Sequence, residues 1–138
     1  MKHNVKTAWK GNMKFDAGVN GHSVIMDALP EVGGEDLGPR PKQLLLASLA
    51  GCTGMDVVSI LKKMRVEVDD FTIDITAGST EEHPKHYTDM HITYEFKGKN
   101  LDMEKLKKAV DLSQEKYCGV SHMFRKALNL SYEIKVLD

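Results

Sequence analysis

The chain has 138 residues, 41% hydrophobic and 28% charged, with a formal net charge of −1. That length suits one domain spanning 1–138, and the composition predicts a soluble globular protein. The 19 basic residues are scattered among 20 acidic ones, which excludes the electrostatic footprint of a nucleic-acid or anionic-membrane binder. The opening MKHNVKTAWKGN has no apolar signal core. The most apolar run carries lysines at both ends and Asp56 inside, so no bilayer span is expected. The expected location is cytoplasmic, where a static structural disulfide is disfavoured and a transient one is allowed.

The first third predicts short strands. Val5, Thr7 and Trp9 alternate with polar neighbours, Gly11 interrupts them, and Met13 and Phe15 resume. Gly18, Asn20 and Gly21 predict a turn before HSVIMDAL. PEVGGEDLGPRP reads as a loop. It leads into a long helix from about Pro41 to Met64, roughly 35 Å at ~1.5 Å per residue. The first half of that helix is apolar nearly all round, the mark of burial. Its middle is small, and each interior glycine costs about 1 kcal/mol relative to alanine. Gly51 and Gly54, on either side of Cys52, therefore predict close packing there by a second helix.

Two strands of strict alternation follow. Phe71, Ile73, Ile75 and Ala77 share one face of the first; Met90, Ile92, Tyr94 and Phe96 share one face of the second. This period predicts an antiparallel sheet with one wet face. Asp102 is placed to cap a helix presenting Met103, Leu106, Ala109 and Val110. A break at Tyr117–Cys118 precedes a shorter helix with Val120, Met123, Phe124 and Ala127 on its apolar side. A last strand points Leu130, Tyr132, Ile134 and Val136 inward. The fold class is α+β with mostly antiparallel sheets around a long central helix.

The two cysteines carry the chemical content. Cys52 lies inside the long helix, where a thiol is inert packing unless a partner reaches it. Cys118 stands at a helix head, a position that biases a thiol toward thiolate. Without a CxxC, neither a thioredoxin motif nor a zinc knuckle is present. The histidines show no metal-ligand spacing, so no metal is expected. If the fold joins the thiols they form a redox pair; if not, they are core residues. A cysteine peroxidase also needs a cation to polarise the peroxide, and Arg40 and Lys42 are the nearest candidates. Asp56, one turn after Cys52, would oppose thiolate formation.

The stretch PRPKQLLLASLAGCTGMDVVSIL, followed later by KYCGVSHMF, resembles the OsmC/Ohr family of osmotically induced and organic hydroperoxide resistance proteins, in its YhfA-type branch. The resemblance extends over the element order of the whole chain. It implies an OsmC-like fold and an intertwined homodimer whose two long helices pack together. It also implies a catalytic cycle. Cys52 attacks an organic hydroperoxide and becomes a sulfenic acid, Cys118 closes a disulfide on it, and an external dithiol of lipoyl type restores both thiols without a bound cofactor. Two family residues are replaced. Lys42 stands where the peroxidases carry a glutamate, and Phe15 where they carry an arginine, so the ion pair that holds the arginine over the thiol is absent as a unit.

Three functions follow as expectations. The first is a thiol-dependent reductase of organic hydroperoxides, with Cys52 as nucleophile, Cys118 as resolving thiol, and Arg40 or Lys42 as electrostatic helper. The second is an OsmC-like protein without turnover that binds a small apolar or electrophilic ligand or senses redox state. The third is an interaction domain with inert cysteines.

Overall fold

The computed structural model describes residues 1–137. The chain divides into two compact units, Met1–Leu46 and Ala47 onward. The first holds a three-stranded antiparallel sheet of β1 (Lys6–Trp9), β2 (Phe15–Val19) and β3 (His22–Met26), in that order. Asn20 and Gly21 turn the β2–β3 hairpin with φ of 52° and 79°, the paired left-handed conformations of a type I′ turn. After β3, the buried Asp27 carboxylate accepts N–H bonds from Ala28 at 2.8 Å and from Glu35 and Leu37 at 3.2 Å each. One side chain thus folds the following loop back on itself. Gly34 belongs to the same loop, and a Cβ there would meet the Ala28 carbonyl oxygen at 2.0 Å.

The long helix, α1, runs Leu44–Lys63. It begins later than Pro41 because residues 41–43 form a turn. Lys62 and Lys63 close its last turn, where cations complement the helix dipole. Leu49, Thr53, Val57 and Leu61 recur at i, i+4 spacing and form its buried stripe. By length and composition α1 is apolar enough to cross a membrane, which corrects the expectation drawn from its lysines and Asp56. In this chain its buried stripe belongs to the core of the second unit.

That unit is built on β4 (Asp70–Ser79), β5 (Tyr87–Lys97) and β6 (Asn129–Leu137). β4 and β5 pair antiparallel as the alternation predicts, with Phe71 opposite Phe96, Ile73 opposite Tyr94 and Ile75 opposite Ile92. The Phe71 and Phe96 rings stack with centroids 4.5 Å apart. β6 pairs parallel to β5, placing Ile134 beside Tyr94 and Tyr132 beside Ile92. The sheets are mostly antiparallel, as expected, and β5–β6 is the one parallel pair among the described residues. Alternation fixes which face of a strand is buried and is silent on its direction. A parallel neighbour requires a long crossover, here α2 (Met103–Leu112), a π-helical turn (Ser113–Tyr117) and α3 (Gly119–Arg125).

α2 starts where expected. The Asp102 carboxylate accepts the Glu104 N–H at 3.0 Å, a cap worth about 1 kcal/mol. Leu106, Ala109 and Val110 are buried, whereas Met103 is exposed. On α3 only Ser121 is buried, and Met123 faces outward. Replacing Leu49 or Leu61 by alanine in such a core costs about 2–5 kcal/mol.

Candidate functional site

Cys52 is half-buried near the middle of α1, and Cys118 is 3% exposed at the head of α3. Both are free thiols, and the fold brings them into contact: the Cys52 side chain interacts directly with Cys118. Cys118 is the N-cap of α3, its sulfur accepting the Ser121 N–H at 3.4 Å. The expected thiolate bias is nevertheless reversed. Burial pushes the Cys118 thiol above its ordinary value; the Ser121 hydroxyl and N–H pull it down, and the adjoining Cys52 pushes it up again. Desolvation of the anion outweighs the helix-head donors. Cys118 is therefore the protonated, shielded thiol and Cys52 the more accessible one.

Behind the pair lies a buried polar network that the sequence reading missed. Thr53 Oγ1 lies 2.7 Å from both the Tyr94 hydroxyl and Ser113 Oγ. Ser113 Oγ donates to the Asp56 carboxylate at 2.9 Å. Gln114 Nε2 donates to the Tyr94 hydroxyl at 2.7 Å and to Thr53 Oγ1 at 3.3 Å. Arg125 donates to the Gln114 backbone carbonyl at 2.5 Å and to Gln114 Oε1 at 2.6 Å.

The donor inventory assigns the hydroxyl protons. A carboxylate only accepts, so Ser113 spends its single hydrogen on Asp56. Thr53 then donates to Ser113, Tyr94 to Thr53, and Gln114 to Tyr94. The bonds run in one direction, from the Arg125 guanidinium to the Asp56 carboxylate. Asp56 faces Ser113, so its carboxylate is engaged in this chain. Burial raises the Tyr94 phenol above its ordinary value despite its bonds to Thr53 and Gln114, and the neighbouring Cys118 adds to the rise.

The network is tied to both cysteines. Thr53 adjoins Cys52 in sequence, and the Ser113 carbonyl accepts the Cys118 N–H at 2.7 Å, the i+5 bond that closes the π-turn. Such turns insert an extra residue into a helix and recur at functional sites. A sequence signal for the network did exist. Thr53 falls on the buried stripe of α1 and Tyr94 on the apolar face of β5, and a buried hydroxyl demands a partner.

The other expected site residues have different surroundings. Arg40 pairs with Asp36 in the loop after β3, and Lys42, in the turn before α1, is half-buried. Phe15 opens β2 and is partly exposed. The glycines beside Cys52 differ from each other. A Cβ on Gly54 would touch Ile73 Cδ1 at 3.0 Å, while one on Gly51 would have nothing within 4 Å. Beside them Ala50, Gly51, Gly54, Met55, Val58 and Phe71 line an open apolar groove of about 700 Å³. Among the described residues no three His, Cys, Asp or Glu side chains converge as metal ligands would.

The family model for OsmC-like proteins matches residues 33–133. The chain belongs to the OsmC family. Protein YhfA of Escherichia coli strain K12 is 33% identical to this OsmC-like chain over 133 residues, covering 96% of each. A hypothetical protein from Aquifex aeolicus VF5 superposes with a TM-score of 0.83 at 35% identity, over 100% of both chains. The organic hydroperoxide resistance protein OhrB of Bacillus subtilis shares the fold with a TM-score of 0.66 at 20% identity, covering 96% of this chain and 98% of its own.

Proposed function

We propose that this OsmC-like protein reduces organic hydroperoxides through Cys52 and Cys118, as a homodimer served by an external dithiol. The observation that carries this reading is the contact between two free thiols of unequal exposure. In the first step the Cys52 thiolate attacks the terminal peroxide oxygen. The O–O bond breaks, an alcohol leaves after protonation, and Cys52 becomes a sulfenic acid. In the second step the Cys118 sulfur attacks that sulfenic sulfur. An S–S bond forms, the S–O bond breaks, and the hydroxide departs as water with the Cys118 proton. A dithiol of lipoyl type then returns two electrons and two protons by thiol–disulfide exchange.

The apolar groove favours a substrate with a hydrocarbon tail over hydrogen peroxide, at about 25 cal/mol per Å² of apolar surface buried. One feature supports a homodimer. Met55 and Val58 on α1 are 77% and 53% exposed. Apolar surface left this open on one chain is what a second copy would cover; the two residues also edge the apolar groove, so that copy would close over the substrate's tail. The test is consumption of cumene hydroperoxide with a dithiol reductant. Wild type turns over and Cys52→Ser does not; equal, slow consumption by both defeats the reading.

A second reading has its own observation. Phe15 and Lys42 replace the ion pair of the peroxidases, and the guanidinium of Arg40 is paired with Asp36. On this reading the same thiols bind a small electrophile or report redox state without rapid turnover. Fast, saturable reduction of an alkyl hydroperoxide excludes it.

A further inference from the structure

Gln114 is 2% exposed, so its backbone carbonyl needs a partner inside the protein. In a continuing helix that partner would be a later N–H. Here the helix ends: the Cys118 N–H turns to the Ser113 carbonyl, and Cys118 itself is extended, with φ −75° and ψ 100°. The Arg125 guanidinium supplies what the backbone withholds. One nitrogen takes the Gln114 carbonyl and the other takes Gln114 Oε1. The segment between Gln114 and Arg125 is thereby closed into a loop, and Cys118 sits within it. Gln114 is in turn fixed to Tyr94 and Thr53, the latter beside Cys52.

We propose that Arg125 is the positioning residue for the resolving thiol. By forking across both oxygens of Gln114 it holds Cys118 against Cys52 and so sets how readily the pair closes to a disulfide. Arg125 acts through Gln114 and touches neither sulfur in this role. The inference rests on the two-thiol reading above, yet the closure it describes needs no peroxide.

The test equilibrates the full-length protein with mixtures of oxidised and reduced dithiothreitol. The protein loses two electrons and two protons to the reagent as the Cys52–Cys118 bond forms, and the equilibrium ratio reports the effective concentration of one thiol at the other. Arg125→Met removes both bonds. Arg125→Lys keeps the charge and the stem but cannot fork across two acceptors. Both variants are expected to lower the effective concentration roughly tenfold or more, the scale of a lost charge-assisted hydrogen bond. Added guanidinium is expected to restore part of the loss in Arg125→Met, which a general weakening of the fold would not do. Alkylation of Cys52 is expected at the wild-type rate in both.

An effective concentration equal to wild type in either folded variant overturns the proposal. If wild-type Cys52 proves inert to hydroperoxide while exchange still separates the variants, the peroxidase reading falls and the positioning role stands.

Discussion

Thr53 and Ser113 share a hydrogen bond of 2.7 Å that joins the helix carrying Cys52 to the turn that presents Cys118. It is one link in a chain whose middle is buried, with a cation on the exposed Arg125 at one end and a carboxylate on the half-buried Asp56 at the other. Because each hydroxyl has one proton, removing one member leaves its neighbours without a partner in a site closed to water.

Thr53→Val preserves shape and removes the hydroxyl that Tyr94, Gln114 and Ser113 share. The expected loss is about 1–3 kcal/mol of stability, the cost of buried polar groups left unpaired. Tyr94→Phe is expected to cost a similar amount. Since both act on the same network, the double variant should lose less than the sum, with a coupling of about 0.5–3 kcal/mol. Urea unfolding of the four proteins measures this; strict additivity contradicts the network.

The thiols should differ in reactivity. Cys118 is buried and its pKa is raised, so it stays protonated through and beyond the ordinary thiol range near about 8.5. At pH 7 iodoacetamide is expected to modify Cys52 and spare Cys118 in the native protein. In Cys52→Ser, modification of Cys118 should become appreciable only in alkaline solution. Peptide mapping of the alkylated protein reads both, and preferential labelling of Cys118 at neutral pH would run against the assignment.

These two predictions mark what was legible in the sequence. The alternation in β4 and β5 fixed their faces, Asp102 announced the start of α2, and the setting of each cysteine pointed to the family. Three things were hidden. The π-turn at Ser113–Tyr117 has no periodicity of its own, because it is one inserted residue closed by the backbone bond from the Cys118 N–H to the Ser113 carbonyl. The parallel pairing of β6 depends on the crossover. The raised pKa of Cys118 depends on burial, which a position at a helix head does not reveal.

Asp27 predicts an acid-sensitive loop. Burial raises its pKa, but the N–H groups of Ala28, Leu37 and Glu35, helped by Lys14, more than offset this and leave it below the ordinary value. A carboxyl whose folded pKa is depressed contributes stability above its unfolded value of about 3.9 and loses it as pH falls through the folded value. Amide exchange at Glu35 and Leu37 should therefore accelerate selectively at acid pH. Asp27→Asn should bring the same acceleration at pH 7, since its amide nitrogen cannot accept. Unchanged protection in Asp27→Asn would show that the carboxylate does not hold the loop.

The association face also makes a prediction. On a lone chain Met55 and Val58 are largely exposed, so Met55→Asp and Val58→Asp should change stability by no more than about 0.5 kcal/mol if the protein is a monomer. In a homodimer they place charge in an apolar interface and should dissociate it. Sedimentation of the wild type is expected to give twice the 15.4 kDa chain mass, and the variants the mass of one chain. A monomeric wild type contradicts the assembly.

The most direct test of the central claim is mass spectrometry of the reduced protein after one equivalent of cumene hydroperoxide. The account predicts a chain lighter by two hydrogen atoms, with Cys52 and Cys118 recovered in one disulfide-linked peptide pair. In Cys118→Ser it predicts a sulfenic acid on Cys52 that dimedone captures. Recovery of both cysteines as free thiols, with the hydroperoxide unconsumed, would contradict it.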